Sequence, residues 1–271
     1  MRLATWNVNS LKARLGRVEE WLAYAGPDVC CLQETKLADS AFPAMSFAAL
    51  GYEAFHHGEG RWNGVAILSR LGLEDVAVGF SSATGDPGDD PVDRLVQESE
   101  ARTLGATCGG LRVRTVYVPN GRQLDSDHYR AKLAWLRRLR RQVEAELAGS
   151  LPLVVCGDFN VAPTDRDVWD PTKLHGGTHV SEPERRLLAE LGDLGLEDLF
   201  RARRPEGGLY SWWDYRAGDF HQHRGLRIDL VLGSGSLDGQ TTFALIDRSA
   251  RKGKLPSDHA PVVVDLDLPS R

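Results

Sequence analysis

The chain has 271 residues, of which 42 % are hydrophobic and 26 % are charged, an ordinary composition for a soluble globular protein with a large core. Its formal net charge of −5 argues against a protein that coats nucleic acid by bulk charge, although a local basic face remains compatible with that total. No apolar run approaches the roughly 20 residues that a membrane-spanning helix needs, and the first residues lack the apolar region of a secretory signal.

The first half of the chain alternates strand-like and helical patterns. Residues 3–6 are typical of a buried strand, and Ser10 is the expected N-cap of the amphipathic helix that follows. The apolar positions of that helix recur at helical spacing, at Leu11, Leu15, Val18 and Leu22. Further strands are predicted at 28–33, 64–68 and 111–118.

The second half repeats this alternation. A long helix is predicted from about 128 to 147, and it should bury Tyr129, Leu133, Leu136, Val143 and Leu147. Ser181 and Glu184 have the spacing of a capping box and predict a helix start. The apolar positions of this second helix are Leu187, Leu188, Leu191 and Leu194. Strands are predicted at 153–156, 228–232 and 262–266.

The organisation of the chain favours one domain of mixed α and β structure. No Pro/Gly/Ser-rich linker divides it, and the Gly-, Pro- and Asp-rich segment 81–93 is predicted to be an exposed loop. Because both halves share a strand–helix–strands rhythm, we expect a single domain, 1–271, of two similar lobes at roughly 1–125 and 126–271.

The four cysteines indicate a reducing compartment. Cys30, Cys31, Cys108 and Cys156 lie in apolar strand-like runs, and none of them forms a CxxC pair. Such cysteines are typical of reduced, buried thiols rather than zinc ligands or disulfides. Together with the absence of a signal segment, this predicts a cytoplasmic protein without a membrane partner.

Several buried-looking strands end abruptly in acidic or amide residues. Asn7 and Asn9 follow the first strand, Glu34 the second, and Asp158 and Asn160 a later one. Each residue alone could simply close a turn, but all of them together indicate a common pocket if the strand ends are aligned. Carboxylate and amide oxygens are ligands for Mg²⁺ or Mn²⁺ rather than for zinc.

A histidine precedes the last predicted strand. His259 follows Asp258, which is expected to point elsewhere, so we predict that Asp229 is the carboxylate that holds the imidazole. A histidine held in this way suits acid–base or phosphate chemistry, because its proton equilibrium lies nearest neutral pH. The alternative interpretation is a histidine that fills a surface turn.

Taken together, the motifs resemble those of the exonuclease III family of AP endonucleases. They follow in the same order and span nearly the whole chain. The shared segments are 6–10 (WNVNS), 33–36 (QETK), 62–67 (WNGVAI), 117–121 (YVPNG), 157–160 (GDFN), 227–229 (RID) and 257–261 (SDHAP). The segments GDFN and SDH occur throughout the wider endonuclease/exonuclease/phosphatase superfamily. By contrast, YVPNG, 212–215 (WWDY) and 224–229 (RGLRID) are more specific to the DNA-repair branch.

The resemblance implies a four-layer α/β/β/α sandwich of two packed mixed sheets flanked by helices, as in pancreatic DNase I. It also implies a Mg²⁺ site, with Mn²⁺ as a possible substitute. The residues that would hold or surround the metal are Asn7, Glu34, Asp158, Asn160 and Asp258.

The catalytic roles also follow from the resemblance. Asp158 would activate the attacking water or protonate the leaving oxygen, and Asn160 would orient that water. Tyr117 would contact the scissile phosphate, and His259, held by Asp229, would bind it. Which of Asp158, Tyr117 and His259 is the general base stays open at this stage.

The same resemblance implies DNA contacts. Trp212 and Leu226 would line a pocket for a flipped-out abasic sugar, although core packing is the alternative for Trp212. Asn120 corresponds to a DNA-contacting amide. The candidate phosphate contacts are Lys36, Arg102, Arg122, Arg227, Lys252 and Lys254, and a solvated face is the alternative for the lysines. Surface positions are expected for His175, His179, His221 and His223.

These features predict a monomeric DNA-repair phosphodiesterase that cuts duplex DNA on the 5′ side of abasic sites. Exonuclease activity in the 3′-to-5′ direction and removal of 3′ blocking groups would accompany incision, with the enzyme on the nucleoid when acting. One alternative is a superfamily member that hydrolyses inositol phosphates or phospholipid head groups. A second alternative is a catalytically silent DNA-binding module.

Overall fold

The computed structural model describes residues 1–81 and 100–268, and these form twelve strands and six α-helices. The predicted loop 81–93 lies outside the described residues after its first position. The strands are β1 (Arg2–Asn7), β2 (Val29–Gln33), β3 (Glu53–His57), β4 (Val65–Ser69), β5 (Glu74–Val78), β6 (Thr103–Cys108), β7 (Leu111–Tyr117), β8 (Leu153–Asp158), β9 (Leu196–Asp198), β10 (Asp229–Ser234), β11 (Thr241–Ile246) and β12 (Val262–Leu266). The helices are α1 (Leu11–Ala25), α2 (Ala44–Ala49), α3 (Asp127–Leu147), α4 (Pro171–Leu174), α5 (Glu182–Asp193) and α6 (Leu199–Arg203).

The strands form two six-stranded sheets. The first has the order β11-β12-β1-β2-β4-β3, and the second has the order β5-β6-β7-β8-β10-β9. Each contains one central parallel pair, β1 with β2 and β7 with β8, while the other pairs are antiparallel. Because parallel strands end at the same edge, Asn7 lies beside Gln33, and Tyr117 lies beside Asp158.

The side chains of the strands divide between three apolar layers, which makes the fold a four-layer sandwich. In β1, Leu3 packs between the two sheets, whereas Ala4 and Trp6 on the opposite face pack against α1. Helices α3 and α5 cover the outer face of the second sheet through residues such as Leu139 and Leu188. The predicted α/β/β/α architecture is confirmed.

Side-chain caps begin two of the long helices, α3 and α5, but not α1. Ser126 accepts a hydrogen bond from the Tyr129 amide at 3.2 Å, and Ser181 and Glu184 form the predicted capping box. Ser10 occupies the predicted N-cap position of α1, but its φ is 88° and its side chain makes no capping bond. Its backbone N–H is instead bonded to the Glu34 carbonyl at 2.7 Å, so tertiary contacts replace a local cap.

Both sheets take strands from both halves of the chain, because β11 and β12 join the first sheet and β5, β6 and β7 join the second. The division into two similar lobes stays a prediction. All four cysteines are buried and free, as expected. Within residues 1–81 and 100–268, no helix is long and apolar enough to span a bilayer.

Candidate active site

Acidic and amide side chains converge where the two sheets meet at one edge. Single ligand atoms of Glu34, Asp158 and His259 lie within 4.8 Å of one another. Asn7 joins the sheets, because its Nδ2 donates to Glu34 Oε1 and to Asp158 Oδ2, each at 2.8 Å. The polar residues that end separate strands therefore form one cluster, as their positions in the sequence predict.

The backbone turns sharply at this edge. Asn9, Glu34 and Asn160 have φ values of 42°, 52° and 51°, in the left-handed region that is costly for a glutamate. Gly157 has a φ of 145°, and a Cβ there would lie 2.0 Å from the Val116 carbonyl oxygen. Glycine thus allows β8 to lie close to β7 just before Asp158.

His259 is held by a buried carboxylate. Its Nδ1 lies 2.8 Å from Asp229 Oδ2, and its Nε2 lies 3.8 Å from Asp158 Oδ2. Burial alone would lower the pKa of His259, but the charges of Asp229, Asp158 and Asp258 outweigh burial and raise it to about 10. The imidazole is therefore a cation at neutral pH, with Asp229 in the position predicted from the sequence.

The Asp158 carboxylate is buried, with 1 % of the residue exposed. Burial raises the pKa of Asp158, the His259 cation opposes the rise, and Asp229 and Glu34 add to it, for a value of about 7. The backbone N–H of Asn160 donates to Asp158 Oδ1 at 2.9 Å and fixes the carboxylate. A group with this pKa can take or give a proton near neutral pH.

Tyr117 lies at the end of β7, beside Asp158. Burial raises the pKa of Tyr117 well above its usual value, and the negative charge of Glu34 adds to the rise, so the phenol stays protonated. The Arg102 guanidinium carbon lies 4.8 Å from the centre of the ring, and Arg102 Nε is 2.5 Å from Glu100 Oε2. The predicted phosphate contact at Arg102 therefore has a carboxylate partner already.

A cleft of about 660 Å³ extends from this point. Besides Tyr117 and Arg102 it is lined by the exposed amide Asn120, by Lys36 and Arg122, and by Trp62, whose side chain is 63 % exposed. Lys36 donates to Asn9 Oδ1 at 2.6 Å and lies 2.9 Å from Glu34 Oε2. Several predicted DNA contacts thus lie along one cleft that leads to the acidic cluster.

Both carboxylate oxygens of Asp258 accept hydrogen bonds from neighbouring side chains. Its Oδ1 accepts a hydrogen bond from Asn9 Nδ2 at 2.9 Å, and its Oδ2 accepts one from Trp212 Nε1 at 3.1 Å. Burial would raise the pKa of Asp258, but His259 and these two donors lower it overall. These donors are Asn9 and Trp212, which agrees with the expectation that Asp258 is not the carboxylate that holds His259.

The two residues of the predicted sugar pocket lie side by side next to His259. Trp212 forms isolated β-bridges with both Leu226 and His259, and it is half-buried. Leu226 is only 4 % exposed and packs with Val168 and Ile228. The pair forms an apolar wall at the edge of the cluster, and Leu226 lies deeper in it than Trp212.

The predicted phosphate contact at Arg227 is wrong, because this side chain is buried. It is 1 % exposed, its Nε donates to Asp167 Oδ1 at 2.6 Å, and its Nη1 lies 2.7 Å from Asp198 Oδ2. A guanidinium so enclosed cannot reach a ligand, and it ties the segment before β10 to Asp167 and to the end of β9. Lys252, in contrast, is exposed.

We therefore expect Arg227→Ala to destabilise the fold. The substitution removes one of the two arginines that pair with the buried carboxylate of Asp167, and Arg201 remains as the other; it also removes the cation that pairs with half-buried Asp198. Breaking a buried ion pair typically costs about 3–5 kcal/mol, and because Arg201 remains we expect a loss of up to that size. Urea unfolding followed by circular dichroism measures the change, and exposed Arg122→Ala should stay within about 0.5 kcal/mol. Equal stability of the two variants would show that Arg227 is not a structural residue.

His179, which was expected on the surface, is half-buried and lies against the loops of the site. Its Nδ1 lies 2.5 Å from the Asn160 carbonyl oxygen, and its Nε2 lies 3.4 Å from Asn120 Nδ2. Burial lowers the pKa of His179 to about 4, and the positive charge of Lys132 contributes. The ring is therefore neutral and lies beside two predicted site amides. Its position two residues before the capping box was the available signal, since helix N-termini often carry functional loops.

Comparison with known proteins identifies this arrangement. The model of the endonuclease/exonuclease/phosphatase family matches residues 4–259. The chain belongs to this family. It is 34 % identical to exodeoxyribonuclease III of Haemophilus influenzae, over 97 % of this chain and 98 % of that protein. The expected resemblance to exonuclease III is confirmed, and the protein is a hydrolytic nuclease.

Two solved structures have the same fold. The 3′ phosphatase NExo from Neisseria, bound to a product DNA hairpin, superposes with a TM-score of 0.91 at 39 % identity, covering 99 % of this chain and all of that one. An AP endonuclease from Archaeoglobus fulgidus superposes with a TM-score of 0.90 at 35 % identity and the same coverage. The family similarity therefore extends over the whole sandwich.

Proposed function

We propose that this protein hydrolyses the backbone of duplex DNA on the 5′ side of abasic sites and trims nucleotides and blocking groups from 3′ ends. The observation that carries the proposal is the convergence of Glu34, Asp158 and His259 beside the apolar wall formed by Trp212 and Leu226. The names of the relatives, which include an exodeoxyribonuclease, a 3′ phosphatase and an AP endonuclease, support a DNA substrate.

The donor set fits a hard divalent cation. Glu34 and Asp158 bring carboxylate oxygens close together, and burial together with the nearby acids raises the pKa of Asp158, a crowding that a cation relieves. We propose Mg²⁺, or Mn²⁺, with Glu34 as its main ligand. Asn7, Asp158, Asn160 and Asp258 are the candidates that surround it. When bound, the cation supplies Lewis-acid stabilisation of charge on the phosphoryl oxygens.

The protein's own groups divide the remaining work. The His259 cation, held by Asp229, donates a hydrogen bond to a phosphoryl oxygen as negative charge develops there. Since Tyr117 stays protonated and His259 stays charged, neither is a base at neutral pH, which leaves Asp158 to take the proton from the attacking water. Asn160 orients that water, and the Tyr117 hydroxyl donates to the phosphate.

Substrate choice would come from the walls of the site. An abasic sugar lacks its base, so it fits against Trp212 and Leu226 where an intact nucleotide does not. Asn120 and Arg102, along the cleft, are placed to contact the DNA backbone, and exposed Lys252 is a further phosphate contact. We expect Lys252→Ala to weaken binding by a similar factor for every DNA sequence. The slope of log affinity against log salt concentration should decrease in magnitude by about 1.

The state of the enzyme in the cell is part of the proposal. We propose a monomer that works in the cytoplasm and associates with the nucleoid while acting. The similarity to a bacterial exodeoxyribonuclease III supports this location.

A duplex oligonucleotide with one tetrahydrofuran abasic analogue, together with a nicked duplex ending in a 3′-phosphate, tests the function. With Mg²⁺, we expect incision on the 5′ side of the analogue and release of phosphate from the 3′ end, both abolished by EDTA. Phosphate release from an inositol phosphate with neither DNA reaction would place the protein with the phosphatases of the family. Tight DNA binding without cleavage would indicate a silent module.

A further inference from the structure

A fully buried ion pair lies directly behind the site loops and has no part in the chemistry proposed above. Lys132, on α3, and Glu184, on α5, are both 0 % exposed, and the ammonium is bonded to the carboxylate. Desolvating two such charges costs free energy that their attraction often fails to recover, so an ion pair of this kind is weak evidence for stability alone. Its contacts indicate a different role.

The ammonium of Lys132 joins two loops of the site. Besides Glu184 it donates to the carbonyl oxygen of Asn160 at 2.7 Å and to that of Asn120 at 3.3 Å. Asn160 is the left-handed residue whose N–H fixes the Asp158 carboxylate. An ammonium has three N–H donors, and all three are used here.

The carboxylate of Glu184 holds a third loop. Its Oε1 accepts from the His179 N–H and from the Thr178 hydroxyl, each at 3.1 Å, and its Oε2 accepts from the Ser181 N–H at 3.1 Å. The Thr178 hydroxyl also reaches the Asn120 carbonyl at 3.1 Å. Glu184 therefore ties the segment before α5 to Lys132, and Thr178 links that segment to the Asn120 carbonyl that Lys132 also holds.

We infer that Lys132 and Glu184 are positioning residues that set Asn120, Asn160 and His179 relative to Asp158. This inference rests on the proposed function, since it assigns those side chains to the DNA backbone and the attacking water. Without the pair, the carbonyl of Asn160 loses its ammonium donor and its turn can relax away from the left-handed conformation. The Asn160 N–H then no longer fixes Asp158, and displacement by about 1 Å costs up to about 10²-fold in rate.

A second ion pair, between buried Arg114 on β7 and half-buried Glu146 on α3, which also pairs with Arg112, provides the control. Arg114, which is 0 % exposed, binds Glu146 through two bonds of 2.8 Å. Glu146 lies fourteen residues after Lys132 on α3, about 21 Å along the helix axis. The other partners of Arg114 are Gly79 and Thr103, which are not residues of the site. This pair has the chemistry of the first without its contacts.

The test compares Lys132→Met/Glu184→Gln with Arg114→Met/Glu146→Gln, on the abasic duplex, at a temperature where both proteins are folded. We expect kcat of the first variant to fall by about 10- to 100-fold with KM changed by less than about threefold. The control should keep its kcat. Equal kcat values for both variants, whatever the change in Tm, would overturn the inference.

Hydrogen exchange provides a readout that does not depend on cleavage. In the first variant, exchange at the Asn160 and His179 amides should accelerate, while the amides of β7 and β8 stay protected. If the wild-type protein cuts no DNA, the proposed function fails. Unchanged exchange at these two amides in the first variant would overturn the positioning inference, whatever the result with DNA. Should the double variant not fold, Thr178→Val removes one hydroxyl from the same network. The kcat of Thr178→Val should still fall while its Tm stays unchanged, and a kcat equal to that of the wild type would count against the inference.

Discussion

Asp158→Asn is expected to reduce kcat for incision of the abasic duplex by at least about 10²- to 10³-fold while the duplex still binds. The amide has nearly the same shape as the carboxylate, but it cannot accept the proton of the attacking water. It also removes one negative charge from the cluster that surrounds the proposed Mg²⁺ site. Asn7 Nδ2 would face either the new oxygen or the new nitrogen, so the link between the sheets is weakened as well.

Single-turnover kinetics and a separate binding titration in Ca²⁺ or EDTA distinguish loss of chemistry from loss of affinity. Asp265→Asn is the matched control. It makes the same chemical change in the first sheet, where Asp265 lies on β12 and pairs with Arg2 at 2.7 Å. Arg2 begins β1, whereas Asn7 ends it, so the control lies at the far end of that strand. A rate for Asp158→Asn within threefold of the control would remove Asp158 from the mechanism.

His259→Ala is the second substitution for which we expect a large effect, about 10²- to 10³-fold in kcat. It removes the cation that we assign to the phosphoryl oxygens. Asp229→Asn should lose nearly as much, because Asp229 acts mainly through the imidazole that it holds at 2.8 Å. The double variant should be scarcely slower than His259→Ala alone, and fully additive losses would show that the two residues act independently.

The pH dependence of Asp229→Asn tests the same assignment. The pKa of His259 is raised to about 10, so its charge is fully present at neutral pH and is lost only as the pH rises through that value. Removing the Asp229 charge lowers the pKa, so the variant should lose its imidazolium at lower pH than the wild type. The ratio of wild-type to variant kcat should therefore widen from about pH 6 to about pH 9. A constant ratio would contradict a charged His259.

Much of the site is predictable because its residues stand where buried strands stop. Asn7, Glu34, Asp158 and Asp229 each begin or end an apolar run, and strand pairing places them at one edge. The same reasoning places Asp229 beside His259. The pattern of strand, helix and capping box also predicts the two-sheet sandwich, since these signals are local in the sequence.

The errors have a common physical cause, which is partners that are distant in sequence. Arginine is a common phosphate contact, but the positive charge of Arg227 is balanced in the interior by Asp167, which lies sixty residues away in the sequence. His179 lies in a stretch with two glycines, and only Glu184 and the Asn160 carbonyl draw it inward. Ser10 stands before a helix but takes its backbone bond from Glu34. Edge strand β3 shows no regular apolar alternation, so its sequence does not predict a strand.

The position of β1 has a consequence for when this nuclease becomes active during its own synthesis. β1 carries Asn7 and lies between β2, which is made soon after it, and β12, which follows His259 and is the last strand of the described residues. A growing chain can pair β1 with β2 early, yet it lacks both the imidazole that we assign to the phosphate and the strand that closes that side of β1. We therefore expect a copy cut short by a premature stop codon before His259 to be inert, which would spare the cell an incomplete enzyme that nicks its genome.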